Sequence, residues 1–296
     1  MHMMKSTLLA FLLLMVTFTA SAQKQDKPAY RLFTKEGKSI TYRKMLDELQ
    51  KADVVLFGEQ HNDPIAHWLQ LEVAKDLHQA HKQSFVLGAE MFEADVQLVL
   101  DEYLAGQAPE NNFEQEARPW PNYKTDYKPL VRYAREEGVP FIATNVPRRY
   151  AAMVSGGGLE ALGNVSADAK RFIAPLPIQV EMSLPGYNNM LAMFGNSTHG
   201  NAKSMNIVKA QALKDATMAH FILQQVNKGR KMLHFNGAYH SDNFEGIGWY
   251  LKQGQPQIKT LTITNVLQED LDKVTEENQA KADFILVVPA SMTRTY

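Results

Sequence analysis

Short apolar runs alternate along the chain with longer amphipathic stretches, and this alternation limits the possible folds more than any other feature. Strands that alternate with helices pair mainly in parallel, and helices then cover both faces of the sheet. We therefore predict an α/β fold with a mainly parallel central sheet flanked by helices. The predicted strands are Val54–Phe57, Phe85–Leu87, Phe141–Ala143, Met232–Phe235, Leu261–Ile263 and Phe284–Val288. The predicted helices are Ile65–His81, Asp95–Leu104, Lys128–Glu137, Ile207–Val226, Phe244–Lys252 and Leu267–Lys281.

The alternation is interrupted over residues 150–231. This stretch contains Gly156-Gly157-Gly158 and several prolines, and its helical patterns are not separated by a clear strand. We predict a smaller all-helical insertion here, within one α/β domain of residues 23–296. A second irregular stretch, residues 106–127, carries Trp120 and is predicted to form a loop over the site.

The N-terminal residues have the pattern of a signal peptide. Lys5 precedes an apolar run from Leu8 to Phe18, which is shorter than the roughly 20 residues of a membrane-spanning helix. The small residues of Ala20-Ser21-Ala22 suit cleavage after residue 22, so we expect residues 1–22 to be removed and the protein to be periplasmic or secreted. No cysteine follows this point, so an N-terminal lipid anchor on cysteine is not expected.

The composition excludes several kinds of site. The chain has no cysteine, so a metal ion or haem must be held by His, Tyr, Met or carboxylate groups. The formal net charge of −1 provides no basic field for nucleic acid.

Ionisable side chains follow four of the predicted strands. The segments after these strands are Gly58-Glu59-Gln60-His61, Gly88-Ala89-Glu90, Asn145-Val146-Pro147-Arg148 and Gly237-Ala238-Tyr239-His240. Ligands of open α/β sheets bind outside the carboxyl ends of the strands, so we predict a polar site at this edge. In both G-x-x-H segments the glycine permits a backbone turn that directs the residues after it.

The helix after the first strand also favours a ligand at this edge. Asp63 is a good N-cap and Pro64 suits the first helical position. The positive end of this helix would attract an anionic group. His67 lies in its first turn, near the edge, and Arg148 could bind a carboxylate or phosphate.

Glu90 has several compatible roles. An ionised carboxylate after an apolar strand is costly to bury unpaired. It could be a metal ligand, a general base, or the partner that orients His61 or His240, and an ion pair with Arg148 is the alternative without a function. If the chain is an enzyme, the predicted catalytic group is Glu59, His61, Glu90 and His240. A divalent metal ion could be held by His61, Glu90 and His240, or His61 could act as a base without metal.

These motifs and their order resemble those of ChaN-like haem-binding proteins. The matching segments are Gly58–His61, Gly88-Ala89-Glu90-Met91-Phe92, Tyr127-Lys128-Pro129-Leu130, Asn145-Val146-Pro147-Arg148, Asp215-Ala216-Thr217-Met218-Ala219 and Gly237–His240. The resemblance covers nearly all of the chain after residue 22 and extends to a superfamily that contains the Tiki, TraB and erythromycin esterase proteins. It implies a parallel sheet with a smaller helical part, haem bound at a dimer interface, tyrosine on the iron, and His and Lys on the propionates.

The resemblance also suggests haem-binding residues. Tyr127 is the first candidate for the iron ligand, with Tyr123, Tyr150 and Tyr239 as alternatives, and His67, Arg148 and Tyr239 are further candidates for haem contacts. The chain departs from the family in lacking a lipid-bearing cysteine and in having Ala238-Tyr239 before His240.

The predicted function is that of an exported haem-binding protein of haem or iron acquisition. Its expected partners are haem, a second copy of the chain in a homodimer, and outer-membrane or periplasmic uptake components. The alternative function is a metal-dependent or His/Glu-assisted hydrolase.

Overall fold

The computed structural model describes residues 27–193 and 202–296, so the predicted signal peptide lies outside the described residues. The strands are β1 (Arg31–Thr34), β2 (Val54–Glu59), β3 (Phe85–Glu93), β4 (Phe141–Asn145), β5 (Lys231–Gly237), β6 (Thr260–Gln268) and β7 (Phe284–Pro289). The helices are α1 (Tyr42–Leu49), α2 (Pro64–His81), α3 (Gln97–Leu104), α4 (Glu110–Glu116), α5 (Lys128–Glu137), α6 (Arg148–Gly157), α7 (Ala167–Lys170), α8 (Pro185–Met193), α9 (Ala202–Val226) and α10 (Ile247–Gly254). None of the helices in these two ranges is both long and apolar enough to cross a lipid bilayer.

The strands form one seven-stranded sheet in the order β1-β7-β6-β2-β5-β3-β4. Only β1 runs antiparallel to its neighbour, β7, and the other pairs are parallel. The predicted α/β fold is therefore confirmed. The six predicted strands are all present, whereas β1 was not predicted.

The alternating side chains of β2 show how the sheet is covered on both faces. Val55 and Phe57 belong to a large hydrophobic core that includes residues of α1, α2 and α5. Val54 and Leu56 belong to a second core that includes residues of α9 and α10. A parallel strand buried on both faces needs a nearly continuous apolar sequence, which is why β2 could be recognised.

Between β4 and β5 the described residues contain helices α6 to α9 and no strand. The long helix α9 connects this region to the sheet. Its residues Met218 and Ile222 pack in the second core under the sheet, while Ala210 and Leu213 pack with residues of α6. One helix thus belongs to both the helical region and the layer that covers the sheet.

The predicted helix over residues 267–281 is wrong. Strand β6 continues to Gln268, and turns follow it. The Gln268 side chain supports these turns: its amide nitrogen donates to two backbone carbonyls, and its amide oxygen accepts from Thr275 N at 3.1 Å. Leu271 and Val274 pack beside β6 and β7. Their three-residue spacing resembles that of a helix, but here it belongs to a loop whose apolar side chains pack against the sheet.

Residues 106–127, predicted to be irregular, contain α4 and a single π-helical turn, Tyr123–Tyr127. The 3₁₀ turn Ala238–His240 follows β5. Both turns lie beside the end of β2, where the polar residues gather.

Candidate functional site

Glu59 ends β2, and its buried carboxylate is the centre of a first polar cluster. Oε1 accepts hydrogen bonds from His61 Nδ1 at 2.9 Å and from the Tyr127 hydroxyl, and Oε2 accepts from Gln70 Nε2 at 2.5 Å. Burial by itself would raise the pKa of Glu59, but His67, His61 and Tyr127 outweigh it and hold this pKa below its ordinary value. Glu59 is therefore a buried, ionised and well-satisfied carboxylate.

One ring nitrogen of His61 is hydrogen-bonded, and the other is free. Nδ1 donates to Glu59, and Nε2 has no hydrogen-bond partner among the described residues. The side chain is 40% exposed, and its ring meets Trp120 edge to face with 4.7 Å between centroids. Burial lowers the pKa of His61, but the Glu59 carboxylate outweighs it and raises this pKa. An imidazole oriented by a carboxylate in this way can accept a proton or bind a metal ion through its other nitrogen.

His67 contacts the backbone of the turn that carries His61. It is buried on the first turn of α2, with Nδ1 3.1 Å from Gln70 Oε1 and Nε2 3.0 Å from the His61 carbonyl oxygen. Both contacts are with oxygen atoms that accept hydrogen bonds. The predicted N-cap is confirmed, because Asp63 Oδ1 accepts from Ile65 N at 2.9 Å. His67 thus holds the turn and does not reach the surface.

A second polar cluster joins β3, the turn after β5 and the helical region. His240 Nε2 lies 3.1 Å from Glu90 Oε1, and His240 Nδ1 lies 2.5 Å from Asp215 Oδ1 on α9. Glu90 Oε2 accepts from Gly237 N at 2.8 Å, and Asp215 Oδ2 accepts from the Tyr187 hydroxyl at 2.8 Å. Glu90, Asp215 and His240 are all buried. One imidazole therefore bridges two buried carboxylates.

The shared histidine affects the two carboxylates differently. Burial would lower the pKa of His240, but Glu90 and Asp215 outweigh it and raise this pKa to about 10. At Glu90, burial is outweighed by His240 and by the Gly237 N–H, and the pKa falls well below its ordinary value. At Asp215, burial outweighs the same histidine and the pKa is raised. At neutral pH the cluster thus contains a protonated histidine and an ionised Glu90.

Gly237 brings the two clusters together. It is paired with Glu59 in the register of β2 and β5. A Cβ atom on Gly237 would lie 2.8 Å from His61 Cε1, closer than side-chain carbons normally approach, and 3.6 Å from Glu90 Oε2. Gly237, in the second G-x-x-H motif, therefore leaves space for the ring of His61, in the first motif. Glu90 lies on the same side of Gly237.

Beside these clusters lies a cleft of about 470 Å³ between the sheet edge, α6 and α9. Its apolar wall includes Trp120, Val146 and Ile207, and its cations are Arg148 and Lys214. Glu90 also lines the cleft. Lys214 has no ion-pair partner in the part of the chain that the structure describes. The cleft thus combines an aromatic and aliphatic wall with positive charge.

The ion pair between Glu90 and Arg148 that the sequence left open is absent, since each has another partner. Arg148 pairs with Glu93, which also pairs with Arg118 at 3.0 Å. Asp95 binds Arg118 and Arg149. This network holds Arg148 at the cleft and neutralises Glu93.

The predicted iron ligand Tyr127 does not fit its position. Its side chain is 1% exposed, its hydroxyl donates to Glu59, and burial together with the Glu59 charge raises its pKa far above the ordinary value. Of the alternatives, Tyr123 and Tyr150 are also buried, whereas Tyr239 is 41% exposed and donates to the Gly186 carbonyl oxygen. Only Tyr239 among these four tyrosines could reach a ligand at the surface.

A metal site formed by His61, Glu90 and His240 is not supported. Within residues 27–193 and 202–296, no group of three or more His, Asp or Glu side chains has the geometry to hold a metal ion. The reason is visible at His240, because both its ring nitrogens already face carboxylate oxygens.

Sequence reasoning placed Glu59, His61, Glu90 and His240 at one edge, and the structure brings all four there. It assigned no role to Asp215 or Tyr187, which complete the second cluster. The available signal was the family-like segment Asp215-Ala216-Thr217-Met218-Ala219, in which Asp215 is the one ionisable residue.

The sequence matches the model of a known protein family. The model of the family described as "Haem-binding uptake, Tiki superfamily, ChaN" matches residues 45–251. Protein RETICULATA-RELATED 5, chloroplastic, from Arabidopsis thaliana is 23% identical over 207 residues, which are 63% of this chain and 26% of that protein. The chain thus spans about a quarter of the length of this curated relative.

Comparison with solved structures agrees on the fold. The structure described as cofacial haem binding to ChaN of Campylobacter jejuni superposes with a TM-score of 0.67 at 19% identity, over 88% of this chain and 96% of that one. An erythromycin esterase in its open conformation gives a TM-score of 0.47 at 12% identity, over 84% and 93% of the two chains. The first likeness shows a shared fold, and the second is too weak for an argument about function.

Proposed function

We propose a haem-binding function because this chain belongs to the ChaN family of haem-binding uptake proteins in the Tiki superfamily. The observation that carries the proposal is the cleft beside the two polar clusters. Haem is a flat apolar ring with two anionic propionates, and the cleft offers Trp120, Val146 and Ile207 as a wall with Arg148 and Lys214 as cations. Its two carboxylates, Glu90 and Glu93, are paired with His240 and Arg118.

Two side chains could supply a ligand to the iron. Tyr239 is the exposed candidate among the tyrosines that the family resemblance suggested. His61 offers a free Nε2, oriented through Nδ1 by Glu59, beside Trp120 of the cleft wall. Haem, if bound, would supply a redox-active iron. The residues of this chain would orient the ring, neutralise the propionates and limit access of water.

The test is a titration of the purified protein with haemin, followed by the Soret band. We expect a shifted, saturable band. Replacing both cations of the cleft, Arg148→Gln with Lys214→Gln, should weaken binding by roughly tenfold to thirtyfold, since each ion pair at an exposed site contributes up to about 1 kcal/mol. The control Lys75→Gln removes a cation that pairs with Glu72 away from the cleft. Absence of saturable binding would refute the proposal.

The ligand is identified by comparing Tyr239→Phe with His61→Gln. Loss of the phenolate-to-iron charge-transfer band in the first variant alone assigns Tyr239. A change in the spin state of the bound haem in the second variant alone assigns His61. If neither variant alters the spectrum of the complex, the iron is held elsewhere and the cleft assignment is wrong.

We also propose that the protein is exported and acts in haem or iron acquisition, as a homodimer that receives haem from uptake components. The support is the apolar run ending in Ala20-Ser21-Ala22 and the family membership. Mass spectrometry of the protein recovered from the periplasm should give an N-terminus at Gln23. Size-exclusion chromatography with light scattering should give a dimer when haemin is added, and a monomer at every haemin concentration would refute the dimer.

A hydrolase is a second candidate, favoured by the free Nε2 of His61 and the carboxylate that orients its ring. Such a pair can take a proton from water or from a hydroxyl nucleophile. The test is ester hydrolysis by the haem-free protein, which should be lost in His61→Gln. Equal rates for the wild type and this variant would exclude His61 as the base.

A further inference from the structure

We infer that residues 292–296 form a strap that positions His61 and Trp120 at the proposed haem site. The strap follows β7, which is parallel to β6 and β2, so it begins at the sheet edge where the polar clusters lie. A turn in which Met292 N donates to Pro289 O at 2.9 Å starts it, and Met292 packs against the large core. The inference rests on the proposed function and extends it to residues beyond the segment that the family model matches.

The strap holds the turn that follows His61. Thr295 N donates to Asn62 O at 3.2 Å, and Arg294 Nη1 lies 3.2 Å from Asp63 Oδ2. The Asp63 side chain is fully buried and its other oxygen caps α2, so Arg294 supplies a cation to a buried carboxylate. Loss of one partner of a buried ion pair is costly. Arg294 and Thr295 therefore fix the backbone immediately after His61.

The Thr295 side chain reaches His61 by a second route. Its hydroxyl donates to Asp126 Oδ2 at 2.8 Å, and the same oxygen accepts from Asn122 Nδ2 at 2.7 Å. Asn122 Nδ2 also lies 2.7 Å from the His61 carbonyl oxygen. Both Asn122 and Asp126 are buried. The strap is thus linked to the backbone of His61 through two buried polar side chains.

The loop that Asp126 anchors also carries Trp120. Trp120 O accepts from Tyr123 N at 2.9 Å, and Tyr123 begins the π-helical turn that contains Asp126. The Trp120 ring lines the cleft and meets the His61 ring edge to face. The strap therefore joins the two segments whose rings meet beside the cleft. Its own residues lie outside the cleft lining, so they are positioning residues that act through His61 and Trp120.

The contact between these two rings can be measured without haem. In a protein with Trp68→Phe and Trp249→Phe, Trp120 is the one tryptophan that remains. An imidazolium in contact with an indole quenches its fluorescence, so His61→Gln should raise the emission at about pH 6, below the ordinary histidine pKa of roughly 6.5. This variant defines the signal of a Trp120 ring that has lost its histidine.

The strap is then loosened by Arg294→Gln with Thr295→Val. In the single-tryptophan protein, this pair should raise the emission towards the His61→Gln value, because the two rings are no longer held together. Added to His61→Gln, the same pair should have little further effect. The inference is overturned if the pair leaves the emission unchanged, or if it changes the emission equally with and without His61.

Two controls separate positioning from a general loss of stability. Thr295→Ser keeps the hydroxyl group and should keep the emission of the parent, whereas Thr295→Val should not. Tyr42→Phe removes a hydrogen bond of 2.6 Å to Asp76, near the other end of α2, and should also leave the emission unchanged. Circular dichroism verifies the folding of each variant. Equal emission from Thr295→Ser and Thr295→Val would exclude a role for the hydroxyl.

The consequence for the site is measured by the Soret titration. Arg294→Gln with Thr295→Val should weaken haemin binding by roughly fivefold, as expected when about one hydrogen bond is lost, and Tyr42→Phe should not weaken it. Unchanged haemin affinity in the strap variant would overturn its role at the site. If the wild type binds no haemin, the proposed function fails, while the fluorescence still decides whether the strap positions the two rings.

Discussion

His240→Gln is the substitution that tests the second polar cluster most directly. Glutamine keeps a polar side chain of similar length but removes the cation between Glu90 and Asp215. Two carboxylates, buried within hydrogen-bonding distance of one imidazole, would then lack a common counter-charge. The loss should appear as lower stability with a defined dependence on pH.

The magnitude follows from the pKa of His240. An increase from its ordinary value of roughly 6.5 to about 10 corresponds, at about 1.4 kcal/mol per unit, to roughly 5 kcal/mol of stability. Removal of one partner from a buried ion pair typically costs about 3–5 kcal/mol. We therefore expect His240→Gln to lower the free energy of unfolding by about 3–5 kcal/mol at neutral pH, out of a typical total of about 5–15 kcal/mol.

The pH dependence has a definite sign. Because folding raises the pKa of His240, its stabilisation is complete below roughly pH 6.5, where the unfolded chain is also protonated. It is lost as the pH rises towards about 10. The difference in stability between wild type and variant should therefore shrink across this window.

The assay is urea unfolding followed by circular dichroism at about pH 7, 8.5 and 10. His81→Gln is the control, since His81 is partly exposed and forms no ion pair with the described residues, and its effect should stay within about 0.5 kcal/mol. A difference between wild type and His240→Gln that is constant from pH 7 to 10 would refute the reasoning.

Three further outcomes are expected. Gly237→Ala should destabilise the protein by about 1–3 kcal/mol in urea unfolding, because the new methyl group displaces the His61 ring. Tyr127→Phe should cost about 1–2 kcal/mol in the same assay through the lost hydrogen bond to Glu59, but it should leave the Soret titration unchanged because the hydroxyl is buried. His234, whose pKa burial lowers to about 4, should make the wild type lose roughly 3 kcal/mol as the pH falls from about 6.5 to 4, and His234→Gln should remove this loss.

Each of these outcomes has a contradicting result. Gly163→Ala, at a glycine with open space, is the control for Gly237→Ala, and equal effects of the two would exclude a specific contact. A Soret change in Tyr127→Phe would return Tyr127 to the list of iron ligands. Parallel acid-stability curves for the wild type and His234→Gln would mean that the buried imidazole does not titrate as described.

The sequence predicted most of the sheet because a parallel strand buried on both faces is nearly continuously apolar. It did not predict β1, in which the exposed Arg31 and the partly exposed Thr34 flank only two buried residues. It also assigned a helix to residues 267–281, because the apolar spacing of a packed loop resembles that of a helix. The hydrogen bonds of Gln268 that replace a helical backbone pattern depend on tertiary structure.

The site was predictable where a local pattern determines it and not where distant contacts do. Turns after strands placed Glu59, His61, Glu90 and His240 at one edge. The pairing of Asp215 with His240 joins residues 25 positions apart on different elements, so no spacing rule reveals it. The burial of Tyr127 was equally hidden, because the π-helical turn that carries it directs the ring towards Glu59.

The short strand β1 also shields an apolar strand from edge-to-edge pairing with other chains. It covers the outer edge of β7, whose residues Ile285 and Val287 are fully buried. Without β1, β7 would present unpaired backbone groups on an apolar strand, which is a template for pairing with another chain. A variant lacking residues 27–35 should therefore form soluble oligomers or aggregates in size-exclusion chromatography, and a monomeric variant would show that the edge has another cover.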